Sequence, residues 1–361
     1  MVTTQLIKEV PKVDLHDHLD GGLRSSTVIE LAKEYNIELP TYDEKALKTW
    51  FSEGSKQKSL PLYLRNFDVT LSVMQTKEAL TRIAIEALED LCEENVVYSE
   101  IRFAPVLHTN KGLTMDQAVE AVLDGLIEGK RRTNIAYGLI LCGMRSQDPS
   151  LSLEVAKLAV AYRNKGVVGF DLAGDEAGHP PKKHLEAFQY IRNQNFNITI
   201  HAGEGFGLES IWQAIQVCGA HRIGHGTRLI EDMSVEGTKI EKMGSLAHYI
   251  KDRRLPIEMC LSSNVDTGVA QNYATHPFNV FYKNNFRVFL NVDNRLMSNT
   301  TITKEYALAV EHYGLNLRDL EKLTINAMKS SFLHHNERIK IIYDVIKIKY
   351  ADIRKNIETE L

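Results

Sequence analysis

A single-domain α/β fold of the (β/α)8 TIM-barrel type is what this 361-residue sequence predicts, on three observations. Eight short β-branched, apolar runs recur along the chain, each is followed by a polar turn and a stretch of helical period, and polar residues gather at the C-terminal ends of the runs. Strands buried on both faces lose the alternation of period two, as these runs do, which points to a parallel sheet. An open doubly wound sheet has the same alternation of elements; the polar residues at the strand ends favour the barrel.

Taken in order, the runs are Val13 to His16, Val96 to Pro105, Ile135 to Gly143, Val167 to Gly174, Ile198 to Glu204, Arg222 to Gly226, Pro256 to Asn264 and Arg287 to Asn294. Between them, TMDQAVEAVLDGLIEGKRR and LSLEVAKLAVAYRNKG carry apolar residues three and four apart and close on basic residues or Gly, as helices do. The insert from Leu23 to Glu94 reads as several helices, too many for one crossover, and its SLPLYLRNFDVTLSVMQT segment is placed to cover the barrel mouth. Further amphipathic helices follow Thr303. No linker, repeat or low-complexity block divides the chain, so residues 1–361 are read as one domain.

A composition of 43% hydrophobic and 25% charged residues supports a sizeable core and excludes disorder. The net charge of -4, with Lys and Arg scattered along the chain, predicts no nucleic-acid partner. The N-terminus has no signal-peptide pattern and no window reaches the apolar length of a spanning helix, so no membrane partner and a cytoplasmic location are expected. Cys92, Cys142, Cys218 and Cys260 lie far apart without a CxxC pair and are read as free thiols, buried ones in the main. Oligomeric state is left open, a monomer included.

Four polar constellations fall at strand ends. In VDLHDHLDGG, His16 and His18 are two apart on a strand and project from one face. ITIHAGEGFG sets His201 at a strand end and Glu204 in the Gly-flanked turn beyond it, and RIGHG holds His225 between glycines. FLNVDNRL ends a buried strand on Asp293 and Asn294, and a carboxylate there needs a cation. Each has a plainer reading, as a packed histidine or a helix cap; four together at four strand ends point to a metal. Three histidines and one carboxylate, His16, His18, His201 and Asp293, suit one Zn2+ per chain with room for a water, whose pKa the metal lowers towards roughly 7. Glu204 and His225 remain as uncoordinated acid and base, an outfit for metal-assisted hydrolysis. The HEXXH helix of zinc peptidases and the HxE with PCxxC pattern of the other zinc deaminase class are both absent.

With HDHLDGG, SLPLYLRNFD, YSEIRFAP, LILCGMR, VVGFDLAGDE, HAGEGFG, RIGHG, CLSSN, THPF and NVDN in order along nearly the whole chain, the sequence resembles the adenosine deaminase family of the amidohydrolase superfamily. The resemblance implies hydrolytic loss of the 6-amino group of adenosine, and of 2'-deoxyadenosine, in purine metabolism, with a purine nucleoside as small-molecule partner. It implies that Glu204 protonates N1 of the purine, that His225 deprotonates or orients the attacking water, and that Asp293 accepts a hydrogen bond from it as well as binding zinc. Gly174 would give its backbone N–H to N3, Asp20 would accept from a ribose hydroxyl, His18 would border the substrate, and Tyr63, Leu64 and Phe67 resemble an apolar lid. The family's best-known pattern has two successive aspartates where this chain has Asp293 and Asn294. The amide of Asn294 donates to N7 without needing a protonated carboxyl, so deamination is expected to survive the change. Adenine deaminase and deaminases of modified adenine nucleosides share the same apparatus, an AMP enzyme would want basic residues where Asp20 stands, and a non-catalytic binding homologue is the remaining alternative.

Overall fold

In the computed structural model, which describes residues 2–359, eight parallel strands form a ring. They are β1 (Lys12–His18), β2 (Val96–Phe103), β3 (Ala136–Met144), β4 (Val167–Ala173), β5 (Thr199–Ala202), β6 (Arg222–His225), β7 (Ile257–Met259) and β8 (Val288–Leu290). Strands β1 to β4 pair in sequence as one sheet, and β5, β6, β7 and β8 pair in sequence as another. Isolated parallel bridges, Phe170 to Ile198 and Asp17 to Asp293, join the two halves, so the order closes on itself. The expected (β/α)8 barrel is therefore the fold.

Local sequence accounts for the elements. The helix Met115–Thr133 begins with a capping box between Thr114 and Gln117 and ends on Lys130, Arg131 and Arg132 before Asn134 turns left-handed, which complements the helix dipole at both ends. Strand residues such as Val13, Leu15, Ile101, Leu139, Leu141, Phe170, Ile200 and Val288 have no solvent exposure and form the main core. The insert after β1 holds the helices Ser25–Tyr35, Glu44–Ser55, Leu60–Leu64, Phe67–Val73 and Lys77–Glu93. Further helices follow β8, as expected.

Two expectations are corrected. The run Pro256 to Asn264 is a strand only over Ile257–Met259; Leu261–Asp266 is a short helix, which turns Ser263 and Asn264 under the barrel mouth. An antiparallel hairpin, Met233–Glu236 with Lys239–Met243, lies outside the barrel, and its half-exposed, charge-rich strands carry none of the buried apolar pattern that marks the others. All four cysteines are free; Cys92 is exposed and the other three are buried.

Candidate metal and substrate site

The strand ends at the C-terminal face bring His16, His18, His201 and Asp293 together, with one ligand atom from each lying within 4.8 Å of every other. His18 Nε2 is 3.1 Å from His201 Nε2, and Asp293 Oδ1 is 3.2 Å from His16 Nε2 and 3.4 Å from His18 Nε2. Tetrahedral ligands at the ~2.0–2.1 Å bond lengths of zinc would stand about 3.3 Å apart, so the cluster has the size of one such ion. The protonation pattern agrees. His16 Nδ1 bonds Glu258 at 2.7 Å and His201 Nδ1 bonds Asp171 at 3.0 Å, which puts those protons on the outer nitrogens and turns the Nε2 lone pairs inward. His16 Nε2 is buried and has no hydrogen-bond partner. Lone pairs and a carboxylate converging in this way fit a cation.

Beneath the histidines lies a layer of charge. Arg102 bridges Asp171 at 2.9 Å and Glu258 at 2.8 Å, and all three are fully buried. Arg222 bonds the other oxygen of Glu258 at 2.6 Å and Glu100 at 2.6 Å. Burial alone would raise Glu258, but Arg102 and Arg222 hold its carboxyl well below the usual range, so it stays an acceptor for His16.

Asp293 and His225 both adopt left-handed backbone with φ of 61°. Such residues cost roughly 1–3 kcal/mol each and persist where the surroundings over-determine them. His225 Nε2 lies 3.5 Å from Glu204 Oε2. Its other nitrogen is governed from outside: the Phe278 backbone N–H donates to His276 Nδ1 at 3.0 Å, so the proton of neutral His276 is on Nε2, which donates to Asn264 Oδ1 at 3.1 Å. The Asn264 amide is thereby oriented with its NH2 towards His225 Nδ1, 2.9 Å away. Burial lowers His276 to about 3 and His225 well below its ordinary value, so both are neutral and His225 carries its proton on Nε2, facing the site.

Glu204 is buried, and burial, with the Asp293 and Glu176 charges added, pushes its carboxyl well above the usual range. Its turn is held by a residue that sequence reasoning passed over. Glu176 Oε1 accepts from Gly203 N at 2.7 Å, and Oε2 accepts from Glu204, Gly205 and Phe206 N at 2.9, 2.7 and 3.1 Å. The motif DLAGDE contains Glu176, but nothing in its spacing says that the carboxylate reaches another strand's turn.

These groups border a cavity of about 270 Å³, whose lining includes every predicted substrate contact: His18, Asp20, Tyr63, Phe67, Gly174 and Asn294. Leu60, Tyr63, Leu64, Phe67 and Leu71, from the helices Leu60–Leu64 and Phe67–Val73, make its apolar wall. Tyr63 is anchored by Ser298 at 3.1 Å. Gly174 has φ of 98°, a conformation that side chains resist, and its Cβ would sit 3.2 Å from Met144 Cε. Gly21 leaves the space that the Asn294 amide fills; a Cβ there would collide with it. Asp20 Oδ1 and Asn294 Oδ1 are buried without partners, and burial lifts the Asp20 carboxyl to about 7.

A profile of the adenosine deaminase family matches residues 11–348. The chain belongs to the adenosine deaminase family. A relative from Streptomyces coelicolor named adenosine deaminase 1 is 49% identical over 354 residues, covering 96% of this chain and 89% of its own. Among solved structures, an Arabidopsis N6-mAMP deaminase is 27% identical with a TM-score of 0.82 over 96% of this chain and 99% of that one. An adenine deaminase from Arthrobacter aurescens, at 23% identity and a TM-score of 0.85 over 96% and 99%, shares the fold. Membership places the chain among hydrolytic deaminases, and the His/Asp cluster gives the family's metal a site. Among the described residues no helix is long and apolar enough to cross a membrane.

Proposed function

We propose that this chain hydrolyses adenosine and 2'-deoxyadenosine to their inosine products and ammonia, with zinc held by His16, His18, His201 and Asp293. Zinc bound there would supply Lewis acidity that makes water nucleophilic near neutral pH. Glu204, kept protonated by its burial, donates to N1 of the purine and makes C6 electrophilic. His225 offers Nε2–H to the incoming oxygen; with Nδ1 occupied by Asn264 it acts by orienting and stabilising the nucleophile, the second of its two expected roles. Water adds at C6 and ammonia leaves. The backbone N–H of Gly174 meets N3, the Asn294 amide meets N7, Asp20 accepts from a ribose hydroxyl, and Tyr63, Leu64 and Phe67 close the apolar side.

The observation that carries a nucleoside substrate is the cavity's lining. Among the described residues it has no Lys or Arg to pair with a 5'-phosphate. Lys58 and Arg228 border an adjoining recess but are engaged by Val265 O and Glu231. Adenosine, adenine and AMP supplied separately test the reading: ammonia release should favour adenosine by at least ~10²-fold in kcat/KM. Preference for AMP or adenine would reject it. Glu204→Gln should lower kcat by about 10²–10⁴-fold, and undiminished turnover in that variant would remove Glu204 as the acid.

A further inference from the structure

At the opposite end of the barrel, a cavity of about 340 Å³ is bordered by Arg222, Arg253, Arg254, Arg287, Lys329 and Arg338. These come from four separate stretches: the start of β6, the turn before β7, the turn before β8, and the end of the helix Leu317–Ser330 with the segment after it. Along the sequence the cations are scattered, and only folding gathers them. Arg222 alone has carboxylate partners, Glu100 and Glu258; among the described residues the other five have none within 4 Å. Five of the six cations thus stand without a carboxylate among the described residues, in a chain whose net charge is -4.

Neighbouring carbonyls account for part of it. Arg338 Nη1 donates to Lys329 O at 2.8 Å and Ser331 O at 3.3 Å, Arg222 Nη1 donates to Ser330 O at 3.0 Å, and Arg254 reaches Asn285 O. The rest is unanswered. Arg222 is 1% exposed, yet its Nη2 has no partner, and the same is true of the buried Nε atoms of Arg287 and Arg338. Burial first, and then the Arg254 and Arg338 charges, hold the Arg287 guanidinium below the usual arginine range. Buried donors left without acceptors are costly.

We infer that this cavity binds a compact polyanion of phosphoryl chemistry, with diphosphate as its simplest form. The planar donor forks of arginine match phosphate oxygens, and several at once suit a charge greater than one. The cationic residues line a recess instead of a flat face, which suits a small anion over a nucleic-acid backbone.

The test uses the full chain and follows thermal unfolding at fixed ionic strength with pyrophosphate, orthophosphate or ATP, against sodium chloride. Pyrophosphate at a hundred times its Kd should raise Tm by about 4 °C, and by more as the logarithm of its concentration grows. A matching rise with ATP would assign a nucleotide's phosphate tail; a rise with the inorganic anions alone would assign the free ions. Arg287→Gln/Arg338→Gln should abolish the rise. The exposed-rim variant Arg254→Gln, which has little to lose in folding, should weaken pyrophosphate binding about fivefold or more by calorimetry. Without anion, Arg254→Gln, which gives up its bond to Asn285 O together with a repelling charge, should unfold close to the parent, and the double variant, which also loses the Arg338 bonds to Lys329 O and Ser331 O, somewhat lower. An equal rise with chloride, or undiminished pyrophosphate binding in Arg254→Gln together with an undiminished rise in the double variant, would overturn the assignment.

Discussion

A single carboxylate with four backbone amides around it, Glu176, holds the turn from which Glu204 projects. Glutamine in its place presents an NH2 to at least one N–H, so the turn loses an anchor and gains a repulsion. Glu176→Gln should lower kcat by roughly 10- to 100-fold, the scale of a misplaced catalytic group, with metal content unchanged. Faster hydrogen exchange at the amides of residues 203–206 is the accompanying signature; a lower Tm with normal kcat in the folded fraction would make Glu176 merely structural. At this scale the sequence shows ligands more readily than supports. His16, His18, His201 and Asp293 stand out because polar residues end apolar strands, whereas Glu176, Asn264 and His276 act through partners 27 or more, 39 and 12 residues away. Asp171 and Glu258 were open to detection: each is a charge inside an apolar run, a pattern that demands a buried partner.

Among the elements, the short helix Leu261–Asp266 and the helices Leu60–Leu64 and Phe67–Val73 frame the mouth. Asp266, at the end of the first, is lifted by burial to about 6, against the Ser298 hydroxyl and the charges of Lys56, Lys304 and Lys58. The folded state thus binds its proton more tightly than the unfolded state does, whose pKa is near 3.8. Stability from this group is present below about pH 4 and is lost as pH rises through about 6, to the extent of ~2–3 kcal/mol. Asp266→Asn should remove that fall, seen as a difference between parent and variant in urea-derived stability that widens from pH 4 to pH 7; parallel curves would refute it. Phe67, on the apolar wall, should bind the substrate without touching the chemistry. Phe67→Ala is expected to raise KM about tenfold at nearly constant kcat, in line with the loss of one buried aromatic contact. A fall in kcat with KM unchanged would make Phe67 something other than a cover.

Over the whole molecule, the barrel interior is a column of alternating charge from the metal ligands through Glu258 and Arg102 to Arg222 and Glu100. Removing one member strands the others in low dielectric. Arg102→Leu should cost about 3–5 kcal/mol of stability, and, by releasing Asp171 and Glu258 from their orientation, weaken metal binding roughly 10- to 100-fold. Chemical denaturation and metal titration measure the two separately; unaltered metal affinity would show that the histidines need no such support. The eight-fold alternation was legible at this scale because period and turn chemistry are local properties of the chain. The ring closure through Asp17 and Asp293, and the gathering of six cations beneath the barrel, depend on residues from distant segments and emerge only in three dimensions.

The Phe278 amide has a fixed sense: it can only give a hydrogen. Through His276 and Asn264 that sense passes to His225, three side chains away, like a ratchet that admits one direction. Whatever occupies the pocket therefore meets an imidazole whose choice of tautomer was made outside the pocket's lining, by the first residue of the helix Phe278–Lys283.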